Sequence, residues 1–300
     1  MALLGKHILV NGVTGSPAQA NIRLDDPDLP YGYGCYEVLK LRKGRLYFPE
    51  FHEERLLHST ALLGFRHNLQ PGFLAPALQH LIGLNGFADS NIRVLLIAHQ
   101  DRLADWYAFQ VPPLVPPPGA PQHGVACLLY HGERTFPAAK SLNLLMSTIA
   151  FREAQALDCY DALLVGHDGM LTEGTRTNLF WLDEAFPHTV FTTPLDRVLS
   201  GVTRRTLRES LLEAAWSVEE TLLSESALLA ASGQAAGSSK RLSLFITSTS
   251  SLVLPICTLI AASRTVGYAT VTKPYQKYGL PVSAALAEVQ EIYRQWLDNN

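Results

Sequence analysis

The chain has 300 residues, 47% of them hydrophobic and 17% charged, with a formal net charge of −3. That length predicts two domains or one large α/β domain. The apolar content excludes a disordered tail, and a charge so near zero with no basic cluster excludes a nucleic-acid footprint.

Taken in order, His7 to Val10 reads as a short strand closed by the turn dipeptide Asn11-Gly12. The amino-terminal segment is too short and interrupted for a signal peptide. No run of eighteen apolar residues follows anywhere, so no membrane span is expected. Asp25 to Gly34, rich in Asp, Pro, Tyr and Gly, predicts an ordered loop. Cys35 to Leu41 and Arg45 to Phe48 read as strands about a Lys43-Gly44 turn. Helical spacing marks Phe51 to Leu63 and Leu74 to Ile82. Ile92 to Ala98 and Trp106 to Val111 are apolar runs of strand length, expected to pair antiparallel across the loop Gln100–Asp105.

Six prolines fall in the ten residues from Pro112 to Pro121. Such a run continues neither sheet nor helix. It predicts a boundary, with a small α/β domain over 1–111, a linker over 112–122 and a larger domain over 123–300. Beyond it, Val125 to Tyr130 reads as a strand, and Leu142 to Leu157 as a helix with Leu142, Leu145, Met146 and Ile149 at helical spacing. Asp161 to Val165 and Asn178 to Leu182 read as strands about His167-Asp168-Gly169. Thr203 to Trp216 is a predicted helix and Ser232 to Lys240 a mobile loop. Phe245 to Thr247 and Leu252 to Leu254 are sheet pieces, with Leu252 to Ala262, which contains Pro255, as buried sheet and loop. Pro281 to Leu297 is a closing amphipathic helix.

Four cysteines, Cys35, Cys127, Cys159 and Cys257, form no CxxC pair, which fits thiols in a reducing cytoplasm. His52 and His58 lack the HExxH spacing, so no metal is expected. Gly32-Tyr-Gly-Cys-Tyr-Glu37 precedes a strand and lacks a third glycine, the wrong context for a dinucleotide turn. No GxSxG occurs.

Three features over 140–204 suggest chemistry in combination. Lys140 is one of seven lysines and sits where a loop runs into an apolar segment. Alone it reads as a solvated side chain; desolvated, it could be neutral and form a Schiff base. Glu173, next to Gly174, reads either as a solvated hairpin-end carboxylate or as a counter-charge that keeps a pyridine nitrogen protonated. Gly201-Val202-Thr203 reads as an ordinary capped helix start with Thr203 as N-cap, or as one that binds a phosphate. Thr247-Ser-Thr-Ser-Ser251 is a polar turn or a second source of phosphate donors. Pyridoxal phosphate requires all three services. Arg55 on its own reads as an exposed ion pair with Glu54 or another neighbour.

The order and spacing of these features resemble the class IV (fold-type IV) pyridoxal-phosphate aminotransferases, a family that includes D-amino acid and branched-chain aminotransferases and aminodeoxychorismate lyases. The matching stretches are Tyr31 to Glu37, Phe51 to Leu57, Lys140 to Leu145, Tyr160 to Leu164, Leu171 to Phe180, Leu199 to Arg204 and Phe245 to Pro255. The resemblance implies two α/β domains with the cofactor between them, in a homodimer. It implies that Lys140 is the Schiff-base lysine and proton shuttle, and that Glu173 pairs with the ring nitrogen. It implies phosphate contacts from Arg55, the amides of Val202 and Thr203, and Thr249, with Tyr160 as the aromatic beside the cofactor. Tyr36 and Val38 would line the substrate pocket, and Ser250 and Ser251 would offer groups to the substrate carboxylate.

Cys35 to Lys40, Lys140 to Leu145 and Cys159 to Ala162 look most like the D-amino acid enzymes. The Arg-x-His clamp of those enzymes has no counterpart in Gln100–Asp105, which contains no histidine. Asn91-Ile92-Arg93 is similar to the Tyr-Ile-Arg of branched-chain enzymes. Leu252 and Leu254 stand where Glu and Thr are usual. The reading is therefore transamination of a small D- or branched-chain amino acid with a 2-oxo acid. A lyase releasing pyruvate is the first alternative, disfavoured by Val38 where such lyases carry a hydroxyl. A binding protein that has lost activity is the second. The carboxylate anchor is expected at Arg93 on its strand, with Arg102 on the loop as the rival.

Overall fold

The computed structural model describes residues 2–20, 28–232, 241–262 and 275–300. Two compact units divide the chain: Met1–Val115 with Ala138–Leu144, and Pro116–Pro137 with Leu145–Asn300. The first crossing falls inside the proline run.

The first unit contains β1 (Leu4–Val10), β2 (Val13–Gly15), β3 (Gly34–Arg42), β4 (Arg45–Leu46), α1 (Pro49–Leu63), α2 (Leu74–Asn85), β5 (Ser90–Ile97) and β6 (Asp105–Val111). Its sheet has the order β2-β1-β6-β5-β3-β4, and each of its strand pairs is antiparallel. The expected pairing of the two apolar runs across 100–105 is present, from Asn91 opposite Val111 to Ile97 opposite Asp105. α1 starts at Pro49, whose fixed φ suits a first helical turn. It stops at Gly64, which adopts φ 73°. Leu9, Leu39, Leu56, Leu78, Leu81, Ile92 and Leu96 form the core of this unit.

β3 alternates. Cys35, Glu37, Leu39 and Leu41 are fully buried while Tyr36, Val38 and Lys40 are half-buried. A strand sends successive side chains to opposite faces, so Tyr36 and Val38 share one face and Glu37 the other. Val38 stands opposite Arg93 of β5, which places Arg93 on the Tyr36 face.

The second unit contains α3 (Ala120–His123), β7 (Val125–His131), α4 (Leu145–Ala156), β8 (Asp161–Val165), β9 (Leu171–Gly174), β10 (Asn178–Asp183), β11 (Thr189–Thr192), α5 (Val202–Glu213), β12 (Ser217–Glu220), α6 (Glu225–Ser232), β13 (Leu242–Ser248), β14 (Leu252–Ala262), β15 (Tyr275–Gly279) and α7 (Ala284–Asn299). Its sheet runs β12-β11-β10-β13-β14-β7-β8-β9, with β15 on β14. β9 returns to pair with β10, so β10, β13, β14, β7, β8 and β9 close a ring. The closing register is Glu173 opposite Asn178. α5 and α7 pack together, and the hydroxyls of Thr206 and Tyr293 meet at 2.8 Å.

Several expectations are corrected. α4 begins at Leu145, not at Leu142, because Leu142 donates its N–H to Gly34 O and Ser141 bridges Cys35. The bridge to β3 holds this segment off the helical path, and the Leu142 carbonyl accepts from Leu144 N–H instead of opening a ladder to the residue four ahead. Glu173 stands at the end of the β9–β10 hairpin, opposite Asn178, but it is buried rather than solvated. Thr203 is not the N-cap of α5; Gly201 is. β14 runs unbroken through Pro255, which stands opposite Phe245, and its register against β7 shifts just after, between Ile256 and Thr258. Of the loop expected over 25–34, residues 25–27 lie outside the described residues, and Leu29–Tyr31 form a 3-10 turn. Of the loop expected over 232–240, only Ser232, the last residue of α6, is described.

Candidate active site

In the first unit, Lys140 is fixed by its backbone on both sides. Its N–H donates to Ser59 Oγ at 3.1 Å, and its carbonyl accepts from Tyr36 N–H at 3.0 Å. Ser59 in turn donates to Arg55 O within α1. The Lys140 Nζ lies 4.7 Å from the centroid of the Tyr36 ring, and the Arg93 guanidinium 6.0 Å from the same ring. Tyr36, Val38, Arg93 and Lys140 are thus brought together.

Arg55 is not at the surface; it is buried against Glu37. It is 8% exposed, and its Nε and Nη2 donate to the two oxygens of Glu37 at 2.7 Å each. His52 Nδ1 meets Glu37 Oε2, also at 2.7 Å. Burial alone would raise the proton affinity of Glu37, but the Arg55 charge and the hydrogen bonds from Arg55 and His52 hold it well below the usual carboxylate range. Burial pushes His52 down, outweighing the pull of Glu37, so the ring is neutral at pH 7. Nδ1–H is then the donor to Glu37, which leaves Nε2 as a buried acceptor with no partner. Arg102 on the 100–105 loop pairs with Asp105 at 2.5 Å and is half exposed.

In the second unit, Glu173 is 4% exposed. Its Oε1 accepts from Arg134 at 3.2 Å, and its Oε2 from the Asn178 amide at 3.3 Å and the Leu199 N–H at 3.2 Å. Asn178 Nδ2 also donates to Leu199 O at 2.9 Å. The strand register continues the row, with Asn178 opposite Thr247. Thr247 Oγ1 is buried and has no hydrogen-bond partner.

The turn joining β9 to β10 is tied down by Asp161, which accepts from the hydroxyls of Thr175 and Thr177. Burial raises Asp161 above its ordinary value, against the lowering by Arg176 and the two hydroxyls. Arg176 lies over Phe151 at 3.8 Å and over Tyr160 at 5.7 Å. The Tyr160 hydroxyl is hydrogen-bonded to Ser251, whose Oγ also meets Ser248 Oγ at 2.8 Å; burial still raises the Tyr160 phenol above its usual value.

α5 opens at Val202 and Thr203 with no side-chain cap on its first amides. Gly201 precedes it in extended geometry, where any residue fits by φ; it is the space that demands glycine. A Cβ there would fall inside the envelope of Asn178 Oδ1. Thr249 and Ser250 follow the end of β13 in the turn to β14.

Residues that sequence reasoning passed over are Arg134, Asn178, Glu37 and His52. For Glu37 a signal existed: an acid at a position in register with Cys35, Leu39 and Leu41 falls on the apolar face of an alternating strand. Asn178 and Arg134 carried no such mark. Among the described residues no His, Cys, Asp and Glu group could hold a metal ion. No helix among them is long and apolar enough to cross a membrane.

An uncapped helix start, a bare glycine beside it, an orphaned threonine hydroxyl and a carboxylate with donors on both oxygens suit a ligand bearing a phosphate and a cationic ring nitrogen. The sequence profile described as amino-transferase class IV matches residues 34–259. A D-alanine aminotransferase of Bacillus licheniformis is 26% identical over 262 residues, covering 84% of this chain and 88% of that protein. A probable branched-chain-amino-acid aminotransferase of Rickettsia typhi is 25% identical, covering 73% and 78%. In fold, a branched-chain aminotransferase from Thermoproteus uzoniensis superposes with a TM-score of 0.77 over 97% of this chain and 94% of its own, at 19% identity.

Proposed function

The chain belongs to the class IV aminotransferases, and from that premise we propose that it moves the amino group of a small amino acid to a 2-oxo acid with pyridoxal 5′-phosphate as cofactor. The observation that carries this reading is the row Glu173, Asn178, Thr247 beside the bare start of α5. When bound, the cofactor supplies an aldehyde for the amine and a ring that delocalises the electron pair left when the Cα–H bond breaks.

In this reading, Lys140 would supply the amine that holds the cofactor's aldehyde and would be the group that moves the proton taken from Cα. Its backbone clamp fixes where Nζ can reach, and the Tyr36 ring orients the amine while it is charged. Glu173 supplies the counter-charge for the ring nitrogen. The amides of Val202 and Thr203, with Thr249 and Arg55, bind the phosphate, and Tyr160 lies beside the cofactor. Arg55, paired through two of its nitrogens to Glu37, is held rigid for that task.

Arg93 receives the substrate carboxylate on the face it shares with Tyr36 and Val38, and Ser250 and Ser251 offer further donors. The relatives' names, D-alanine and branched-chain aminotransferase, support a small amino acid. The four free thiols suit a cytoplasmic setting. We also propose a homodimer. Leu145 and Ile149, one turn apart on α4 and 71% and 48% exposed, are apolar surface that such an assembly could cover.

The test is a half-reaction screen. The purified protein is loaded with pyridoxal phosphate, mixed separately with L-amino acids, D-amino acids and achiral amines, and its absorbance followed. Conversion with a small amino acid supports the reading; a loaded protein that converts with none overturns it.

A further inference from the structure

Glu173 faces a cavity of ≈ 380 Å³ in the second unit, and Arg134 lines the same cavity from the loop after β7. The two side chains are 5% and 12% exposed and 3.2 Å apart. The other charged groups of the wall are Glu133, His167, Asp168, Asp196 and Arg197. Four of these are matched with each other: His167 with Glu133 at 2.8 Å, and Arg197 with Asp168 at 2.8 Å. Arg134 is the cation set against Glu173. The far oxygen of Glu173 accepts from neutral donors, the Asn178 amide and the Leu199 N–H. Charge is thus supplied from one side and direction from the other.

We propose that Arg134 is a positioning residue that keeps Glu173 ionised and aimed, so that a proton shared with a pyridine nitrogen stays on the nitrogen. A carboxylate and a ring nitrogen in contact compete for one proton. A cation in contact with the carboxylate stabilises its anion, while a nitrogen bound to that carboxylate from another side is farther from the cation and less repelled. The arrangement with N–H⁺ against COO⁻ is therefore favoured over the neutral pair. A neutral side chain at 134 removes the bias without touching Glu173. This inference rests on the cofactor reading above.

The test loads wild type, Arg134→Gln, Arg134→Met and Arg134→Lys with pyridoxal phosphate labelled with nitrogen-15 in the ring. Two quantities are read across about pH 5 to 9: the ring-nitrogen chemical shift and the cofactor dissociation constant. The neutral variants are expected to move the shift toward that of unprotonated pyridine. They should also bring the acid loss of cofactor affinity up by about one pH unit. Arg134→Lys should restore both. Neutral variants that bind with an unchanged nitrogen signal and an unchanged acid limb overturn the proposal.

A second arm needs no cofactor. Melting of the apo protein gives a double-mutant cycle of Arg134→Gln with Glu173→Gln. Coupling at neutral pH that vanishes in acid is expected; absent or pH-independent coupling overturns the proposal. Failure of the wild type to bind pyridoxal phosphate would instead overturn the cofactor reading, and the apo cycle would still decide the role of Arg134.

Discussion

Arg55 meets Glu37 through two side-by-side contacts, Nε to Oε1 and Nη2 to Oε2, each 2.7 Å long. This fork joins α1 to β3 in the interior of the first unit, with His52 as its third member. Bidentate geometry makes it a stiff joint rather than a diffuse attraction.

Removing the acid should therefore be costly. Glu37→Gln leaves a buried guanidinium without its counter-charge, and a loss of about 3–5 kcal/mol is expected. The sign of the pH dependence is fixed by the low folded-state proton affinity of Glu37. Its contribution is complete above the unfolded carboxylate value of about 4.3 and is lost progressively below it. The gap in stability between wild type and Glu37→Gln, read by urea unfolding at a series of pH values, should be constant from neutral to about pH 5 and shrink in stronger acid.

His52 acts in a higher window. Burial holds its folded value below the ordinary one, so the unfolded chain takes up a proton first, near pH 6.5. Stability carried by the neutral ring is present above that pH and falls as pH drops through it. Melting temperature should decline between about pH 7.5 and 5.5 in wild type, and His52→Gln should flatten that slope. A slope that survives the substitution would assign the proton uptake to another histidine.

Gly201→Ala should be damaging although alanine suits the backbone there. The new methyl would collide with Asn178 Oδ1 and drive the amide off Glu173 and Leu199. A stability loss of about 1–3 kcal/mol should accompany weaker retention of pyridoxal phosphate. Adding Asn178→Ala should cost less than the sum of the two single changes, because the collision is gone. Strict additivity, measured by melting and by cofactor titration, would remove Asn178 as the obstacle.

Lys140→Ala should abolish turnover while leaving the fold intact, because the contacts that hold the segment are made by the Lys140 backbone. Arg93→Leu should raise the Michaelis constant for dicarboxylic acceptors about ten-fold, equivalent to roughly 1.4 kcal/mol, and spare amine donors that lack a carboxylate. Arg102→Leu should do little, since Arg102 is engaged with Asp105. The opposite ranking in steady-state kinetics would move substrate recognition to the loop.

How far the sequence was legible depends on whether a feature is local. Cys35 to Leu41 is legible as a strand, and period-2 burial, a property of the strand itself, then puts Tyr36 and Val38 on one face. Helices with clear stops, such as α1 before Gly64, were legible for the same reason. Leu142 was misread because Leu142, Leu145, Met146 and Ile149 have helical spacing, yet the Leu142 N–H is claimed by Gly34, over a hundred residues earlier. Glu173 at a hairpin end reads as solvated, and only the partners of its strand in β8 and β10 bury it. Lys140, Glu173 and Gly201 stand out in the sequence by residue type and order. Arg134 and Asn178 do not, because nothing near them in sequence indicates a partner 39 residues away or a side chain that must fill the space beside a glycine.

The division of the chain bears on how the protein is made. The first unit includes Ala138–Leu144, although its continuous part ends at Val115. A nascent chain released from the ribosome up to Val115 has β3 in full, yet the N–H of Tyr36 and the carbonyl of Gly34 still lack the partners that Lys140 and Leu142 bring. At about 5–20 residues per second, that wait lasts roughly 1–5 s. During it β7, the first strand of the other unit, is synthesised. The edge of β3 that receives Lys140 and Leu142 is thus the last part of its unit to be finished, and a chaperone or a stray strand would find it open before Lys140 arrives.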